Sequence, residues 1–223
     1  MTAGGASVFI VLEGIDGAGK TTQLALLTER LRQRSPEVVA TQEPGGTPLG
    51  DRLREVVKHG ADLDIVPRAE LLLFAASRAQ LVERVLRPAL ARGVSVVCDR
   101  YVFSTVAYQG YGRGVDRGLI AAAVDLATGG LLPDLVVLLD LEVRLALQRI
   151  ASPGRREPTT FAPARGRDRF EGEALAFYER VRQGYRDQAA VDPDRWLVLD
   201  ATRPPDHLAR IIWEKVEKFG LQG

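Results

Sequence analysis

The sequence is poor in the features that mark disulfide-bonded, membrane-spanning or nucleic-acid-binding proteins. Its 223 residues include one cysteine, Cys98, so no internal disulfide can form, which fits a reducing compartment. No apolar run approaches the roughly 18 residues of a membrane-spanning helix, and residues 1–7 lack the basic and apolar regions of a signal peptide. The net charge of +1 gives no overall field that would attract nucleic acid. We therefore expect a cytoplasmic protein that binds neither a membrane nor nucleic acid.

Histidine is scarce as well, and this excludes another class of site. His59 and His207 are far apart and have no Cys or His companions, so the sequence predicts no zinc-type centre. The composition is otherwise that of a globular protein, 46% hydrophobic and 26% charged, with enough chain for one substantial core. The sequence shows neither an internal repeat nor the pattern of a second core. We predict a single domain over residues 8–219.

One stretch carries most of the functional information. Residues 14–21 read G-x-x-x-x-G-K-[ST], the pattern of a phosphate-binding P-loop. Its members are Gly14, Ile15, Asp16, Gly17, Ala18, Gly19, Lys20 and Thr21. The apolar run 8–12 before it predicts a buried strand, and Leu24, Leu27 and Leu31 after it fall at helical spacing. A chance glycine-rich turn is the alternative, but it would explain neither the strand nor the helix.

The motif predicts a site for a nucleoside triphosphate. In a strand-to-helix turn of this kind, backbone N–H groups and the helix N-terminus converge on a phosphate anion. Lys20 is expected to reach the β- and γ-phosphates, and the Thr21 hydroxyl is expected to bind Mg²⁺. The motif alone does not say where the phosphoryl group goes.

Apolar runs and helical patterns alternate along the rest of the chain. Strands are predicted at residues 8–12, 38–41, 94–98, 135–139 and 196–199. Helices are predicted at residues 21–34, 48–59, 67–92, 104–109, 116–128, 142–150, 170–190 and 205–219, with a flexible glycine-rich loop at 110–114. Pro88 should kink or split the third helix near its end. The alternation predicts an α/β fold, a five-stranded parallel sheet with helices on both faces.

Ligands of such sheets bind beyond the carboxyl ends of the strands. That edge should carry the P-loop, Glu43, Asp99 and Asp140. Asp99 suits the carboxylate that helps to hold Mg²⁺ beside a P-loop. Asp140 and Asp200 also end apolar runs, where each could simply cap the following turn, so this rule alone does not choose among the three.

Two arginines carry further hypotheses. Arg100 directly follows Asp99, where its fork of donors suits a second phosphate group, although a structural ion pair would explain it too. Phe74 and Arg78 lie four residues apart on one helix face, where they could stack on a base and bond to its edge. By spacing alone, a core phenylalanine and a solvated arginine are the commoner reading.

An irregular stretch near residues 151–168 is rich in proline and arginine. A solvated basic loop is one reading, and a mobile lid that closes over ATP and excludes water is the other. Lid arginines would then stabilise charge on the transferring phosphoryl group. The candidates are Arg155, Arg156, Arg165 and Arg167.

Taken together, these segments make the chain similar to the thymidylate kinases, within the P-loop nucleoside monophosphate kinases. The resemblance rests on motifs that occur in the family's order and cover most of residues 9–219. They lie at residues 13–23, 43–47, 74–80, 99–101, 104–105, 107–110 and 133–135.

The resemblance implies ATP-dependent phosphorylation of dTMP to dTDP, with Mg²⁺, ATP as co-substrate and a homodimer packed through helices that flank the sheet. It implies ATP binding by residues 14–21 and Thr22, and metal binding by Thr21, Asp99 and Glu171. Lys20, Asp16, Arg100 and the four lid arginines would be catalytic. The dTMP site would be formed by Asp16, Glu43, Pro44, Phe74, Arg78, Arg100, Ser104, Thr105, Tyr108, Gln109 and Phe170.

Within that set, Phe74 would stack on thymine and Arg78 would reach its edge. Thr105 and Gln109 would contact the base, and Tyr108 would pack against the deoxyribose.

The chain also departs from the family pattern. Gly17 and Ala18 stand where some P-loops carry a basic residue, which in this family goes with a catalytic arginine on the lid. Gln42 stands where many relatives have arginine before Glu-Pro-Gly-Gly, so one cation near the acceptor is missing. The lid is longer than expected, which leaves open which arginine acts. Kinases for dUMP, UMP or CMP and a P-loop regulatory ATPase are the competing functions, although no guanine-reading signature is present.

Overall fold

The computed structural model describes residues 7–35, 37–59, 63–151 and 175–219. Five strands form one parallel sheet in the order β2–β3–β1–β4–β5. They are β1 (Phe9–Glu13), β2 (Val38–Gln42), β3 (Ser95–Asp99), β4 (Leu135–Asp140) and β5 (Trp196–Asp200). The predicted five-stranded parallel sheet is confirmed. Each strand runs on to the polar residue that follows its apolar run.

Nine α-helices lie in the described part of the chain. They are α1 (Lys20–Arg32), α2 (Pro48–His59), α3 (Pro67–Leu81), α4 (Arg87–Ala91), α5 (Val102–Thr105), α6 (Arg117–Thr128), α7 (Val143–Ala151), α8 (Leu175–Val191) and α9 (Pro205–Val216). A 3₁₀ turn over Glu217–Phe219 follows α9. None of these helices is long and apolar enough to cross a bilayer. The predicted lid lies outside the described residues except Ala151, which ends α7.

Two predicted segments differ in detail from the structure. The long third helix is divided by a π-helical segment, Val82–Leu86, directly before the turn that holds Pro88. This is the split expected of a proline that lacks an N–H and crowds the preceding turn. The flexible loop predicted at 110–114 is wrong in its first half, because a second π-helical segment, Val106–Gly112, continues from α5.

The central strands are buried because helices cover both faces of the sheet. In β1, Ile10 and Leu12 point into a core shared with α1, α8 and α9, whereas Phe9 and Val11 face a core shared with the α3–α4 stretch. This alternation follows from the two-residue period of a strand. The continuous apolar run therefore reflects burial on both sides of the sheet.

The strand order places the functional motifs side by side. β1 lies in the middle of the sheet, and Leu12 is paired in register with Asp99 of β3. The P-loop leaves β1 and Arg100 leaves β3 at the same sheet edge. Ligands of open parallel sheets bind in the crevice at such an edge.

Candidate active site

The P-loop has the backbone conformation that its glycines permit. Gly14, Gly17 and Gly19 have φ of +137°, +79° and +96°. A Cβ on Gly14 would lie 2.6 Å from the carbonyl oxygen of Leu139, so a larger residue does not fit there. α1 begins at Lys20, directly after Gly19, and no side chain in the described part of the chain caps it. The N–H groups of an uncapped first helical turn are the donors that bind a phosphate anion in such loops.

The predicted metal ligands of the P-loop lie next to each other. The Thr21 hydroxyl donates to Asp99 Oδ2 over 3.4 Å. A hydroxyl and a carboxylate are the hard oxygen ligands that Mg²⁺ takes in small number, while keeping several waters. The described residues contain no cluster of three or more Asp, Glu, His or Cys side chains. The third candidate ligand, Glu171, lies outside the described residues.

The structure separates Asp99 from the other two strand-end aspartates. Asp140 accepts from Arg182 at 2.6 Å and 3.0 Å in a two-pronged ion pair with α8. Asp200 accepts from the backbone and hydroxyl of Thr202 and so caps its own turn. Of the three aspartates, Asp99 contacts the P-loop through Thr21, whereas Asp140 is engaged by Arg182 and Asp200 by Thr202.

Arg100 is the centre of the acceptor side. Its guanidinium is buried and donates from Nη2 to Asp16 Oδ1 at 2.7 Å and to the Tyr108 hydroxyl at 3.3 Å. Nη1 donates to the Tyr185 hydroxyl at 3.0 Å and to Ser104 Oγ at 3.2 Å. The residue has φ of +72°, which is uncommon for a side chain other than glycine. Such strain is typical of functional sites whose surroundings hold the residue in place.

The carboxylates around Arg100 differ in their electrostatics. Burial alone would raise the pKa of Asp16, but the charges of Arg100, Lys20 and Lys58 outweigh it and lower that pKa below its ordinary value. Burial raises the pKa of Glu13, against the opposing charge of Arg100. Glu13 accepts from the Tyr101 N–H at 2.9 Å and thereby fixes the chain after β3.

Arg78 is buried rather than solvated. Its Nε donates to Glu43 Oε2 at 2.7 Å, and its Nη2 donates to the Tyr101 carbonyl at 3.1 Å. Its Nη1 is buried and has no hydrogen-bond partner among the described residues. Burial raises the pKa of Glu43 to about 7, although the nearby Arg78 charge opposes the shift. Two of the arginine nitrogens therefore hold the site together, and the third remains for a ligand.

A pocket brings most of the predicted acceptor residues together. Its lining residues are Asp16, Phe74, Arg100, Ser104, Thr105, Tyr108 and Gln109. Tyr108 and Gln109 come from the π-helical segment Val106–Gly112, which packs against α8. Pro44 is buried nearby in the chain after β2, and its carbonyl accepts from Arg54 at 2.7 Å.

A further predicted site residue, Lys20, is not among the residues that line this pocket. Lys20 lies in the P-loop, where its Nζ donates to the Ile15 carbonyl at 3.0 Å. The remaining candidates lie outside the described residues: Arg155, Arg156, Arg165, Arg167 and Phe170. Their roles stay predictions.

Sequence reasoning missed four side chains of this site. Tyr185 reaches Arg100 from α8, and Glu70 reaches Gln109 from α3. Arg54 and Lys58 are both buried on α2, and their spacing of one helical turn in an otherwise amphipathic helix was the available signal. Arg54 donates to the carbonyl of Pro44 after β2, and the charge of Lys58 helps to lower the pKa of Asp16. No local pattern marked Tyr185 or Glu70.

Comparisons with a family model, with curated proteins and with solved structures all find similarity to thymidylate kinases. A family model described as thymidylate kinase matches residues 12–212. The thymidylate kinase of Deinococcus radiodurans is 53% identical over 213 residues, which cover 96% of this chain and 98% of that protein. That of Thermomicrobium roseum is 48% identical, with coverage of 97% and 98%. A crystal structure of thymidylate kinase from Ehrlichia chaffeensis aligns with a TM-score of 0.75 and 31% identity, covering 95% of this chain and 99% of that one.

Proposed function

The chain belongs to the thymidylate kinase family, and we infer that its site transfers the γ-phosphoryl group of ATP to dTMP, giving ADP and dTDP for nucleotide biosynthesis. One observation carries this inference beyond family membership. Asp16 of the P-loop lines the acceptor pocket and is paired with Arg100 in the pocket wall. A donor site and an acceptor site therefore share one edge of the sheet.

Phosphoryl transfer requires little covalent chemistry from the protein. Phosphoryl transfer depends on alignment of donor and acceptor and on stabilisation of the charge that develops between them. The loop N–H groups and Lys20 hold the donor phosphates. Mg²⁺, when bound beside Thr21 and Asp99, would neutralise the phosphate oxygens.

Arg100 is proposed to bind the acceptor phosphate. Four oxygen atoms fix its position, and three of them belong to neutral hydroxyl groups on Ser104, Tyr108 and Tyr185. A phosphate dianion is a stronger acceptor than a hydroxyl, so it can share or displace these bonds. The pair with Asp16 keeps the guanidinium in place while the neutral partners exchange.

The base is proposed to lie against Phe74, with Thr105 and Gln109 at its edge and Tyr108 beside the sugar. All four side chains line the pocket. Arg78 lies one helical turn beyond Phe74 and supplies the unused Nη1 donor. We also propose that one of Arg155, Arg156, Arg165 and Arg167 neutralises the transferring group, because Gly17 and Ala18 bring no cation there.

The test compares two single variants, Lys20→Ala and Arg100→Ala, in an assay that couples ADP formation to NADH oxidation. Both variants should lose most of the turnover with ATP and dTMP, Lys20→Ala through the donor and Arg100→Ala through the acceptor. Arg144→Ala, on the exposed side of α7, serves as the control. Near-normal rates in both site variants would refute the proposal.

Substrate choice is tested by comparing dTMP with dUMP, UMP and CMP. Thymine and uracil differ by one methyl group, which an apolar pocket distinguishes by only about 1–3 kcal/mol. We expect dTMP to be phosphorylated with the highest kcat/KM. A preference for UMP or CMP would refute the choice of dTMP, and ATP hydrolysis unaffected by any monophosphate would indicate a regulatory ATPase.

We further propose a homodimer, and a cytoplasmic enzyme that acts on free nucleotides. α3 packs between α2 and α6, and all three helices expose apolar side chains. Leu49 lies on α2, Leu72 is 64% exposed on α3, and Leu119 and Leu126 lie two turns apart on α6. A second copy of the chain would cover this surface. Light scattering should give twice the mass of one chain, and Leu72→Glu should halve it, whereas Val191→Glu on α8 should not.

A further inference from the structure

Glu70 is a buried carboxylate beside the pocket that the roles above leave unused. It lies on α3, one turn before Phe74, and is 0% exposed. Its Oε1 accepts a hydrogen bond of 2.8 Å from Gln109 Nε2 and one of 3.4 Å from Arg113 Nε. A carboxylate only accepts hydrogen bonds, so its bond to Gln109 must use the amide nitrogen. The guanidinium of Arg113 supplies the counter-charge for the buried carboxylate.

This bond determines which end of the Gln109 amide is left for a ligand. An amide side chain has a donor end and an acceptor end, and the two are nearly identical in shape. Gln109 lines the pocket while its donor end is bound to Glu70. The acceptor, Oε1, is therefore the end that a ligand in the pocket can meet.

Arg78, one helical turn beyond Phe74 on α3, offers a donor where Gln109 offers an acceptor. Its Nη1 is a buried donor with no hydrogen-bond partner in the described ranges. A donor from Arg78 and an acceptor from Gln109 match a base edge that carries a carbonyl oxygen next to a ring N–H. Thymine and uracil have this edge. Cytosine has an amino group next to an unprotonated ring nitrogen, so both of its groups would meet a group of the same kind.

We propose that Glu70 is a positioning residue that determines base specificity. It holds the Gln109 amide with its oxygen toward the base, and it thereby selects a pyrimidine with a protonated N3 over cytosine. The inference rests on the proposed function, because it takes the pocket to hold the base of the acceptor nucleotide. A buried polar group left facing a like group loses its hydrogen bond without compensation, so the selection does not depend on shape.

The first variant is Glu70→Gln. A glutamine at position 70 can donate to Gln109 Oε1, which lets the Gln109 amide turn and present its NH₂ group to the base. The quantity to measure is the ratio of kcat/KM for dCMP to kcat/KM for dTMP, which does not depend on the fraction of active enzyme. We expect this ratio to rise by about tenfold or more, the size of one buried hydrogen-bond mismatch. The matched control, Glu83→Gln, alters an exposed pair with Arg87 and should leave the ratio unchanged.

Exchange of the two side chains provides a stricter test. In the double variant Glu70→Gln with Gln109→Glu, the amide at 70 donates to a carboxylate at 109, and an acceptor oxygen faces the base again. The ratio should return toward the wild-type value. Glu70→Asp keeps the charge but withdraws the oxygen by one methylene, so it should give a smaller rise and carries the test if Glu70→Gln does not fold.

The outcomes separate this inference from the proposed function. If the wild-type enzyme does not phosphorylate dTMP, the proposed function fails. If it does, and the ratio stays within about twofold of wild type in both Glu70→Gln and Glu70→Asp, the inference is overturned. An equal loss of activity toward both nucleotides would also overturn it, since that result indicates a purely structural carboxylate.

Discussion

Replacement of Arg100 by lysine retains the charge of the acceptor site and removes the planar fork of donors. In the native arrangement, Nη2 serves Asp16 and Tyr108, and Nη1 serves Tyr185 and Ser104. A lysine ammonium is a single point with three protons. Because the shortest bond is the charged one to Asp16, at 2.7 Å, the ammonium should keep that partner and lose those of Nη1.

The cost of this substitution can be worked out in two parts. The two lost hydrogen bonds come from a charged guanidinium, at about 1.5–3 kcal/mol each, and predict that the free energy of unfolding falls by about 3–6 kcal/mol. The acceptor phosphate would be bound by one nitrogen in place of two, and a hydrogen bond to a charged group contributes about 1.5–3 kcal/mol. On the scale where 1.4 kcal/mol is tenfold, kcat/KM for dTMP should fall by about 10- to 150-fold.

The assay is steady-state ADP formation with dTMP varied at saturating ATP, together with urea unfolding. The KM for ATP should stay close to wild type, because Arg100 reaches the loop through the Asp16 carboxylate, whereas the loop N–H groups and Lys20 are the groups proposed to hold the donor phosphates. Arg144→Lys makes the same change at an exposed position and should alter neither quantity. If Arg100→Lys keeps kcat/KM for dTMP within about twofold of wild type, Arg100 is not the acceptor anchor.

Three further predictions follow from the same contacts. Gly14→Ala places a methyl group 2.6 Å from the Leu139 carbonyl at φ +137°, so urea unfolding should show a loss of about 3 kcal/mol. Thr21→Ala should raise the Mg²⁺ concentration for half-maximal activity, because it removes a proposed ligand of the ion. It should leave the free energy of unfolding nearly unchanged, because the hydrogen bond from Thr21 to Asp99 is long, at 3.4 Å. Glu43 has its pKa raised to about 7, so its contribution to stability is present below the unfolded value of 4.5 and is lost as pH rises through 7. The unfolding free energy of Glu43→Gln, relative to wild type, should therefore increase from pH 4.5 to pH 7.5; a difference independent of pH would contradict this.

The sheet and the position of the site could be predicted because both depend on local chemistry. Buried parallel strands are apolar runs whatever surrounds them, and their carboxyl ends meet at one edge. That rule brought the P-loop, Asp99 and Arg100 together from the sequence alone. It could not distinguish Asp99 from Asp140, because the distinction depends on Arg182, which approaches from a helix far along the chain.

The end of the π-helical segment Val106–Gly112 was predicted to be a flexible loop, and the error has a physical reason. Gly110 and Gly112 suggested a flexible loop, since glycine permits many backbone conformations. In the structure, Gly112 is a close-packing residue: a Cβ there would lie 2.6 Å from the ring of Phe177. The missing side chain lets α8 approach the segment, which brings Tyr185 of that helix to Arg100. A glycine needed for contact has the same sequence signature as one needed for a turn.

The electrostatic field of the site was also hidden from composition. A net charge of +1 says nothing about where the charges lie. Asp16 reports the local field, because its pKa is lowered although burial favours the neutral form, so nearby cations must dominate. Those cations are Arg100, Lys20 and Lys58, and they stand around a single P-loop carboxylate. The potential that keeps Asp16 ionised also favours the phosphate anions of donor and acceptor, so the site is prepared for its substrates before either of them binds.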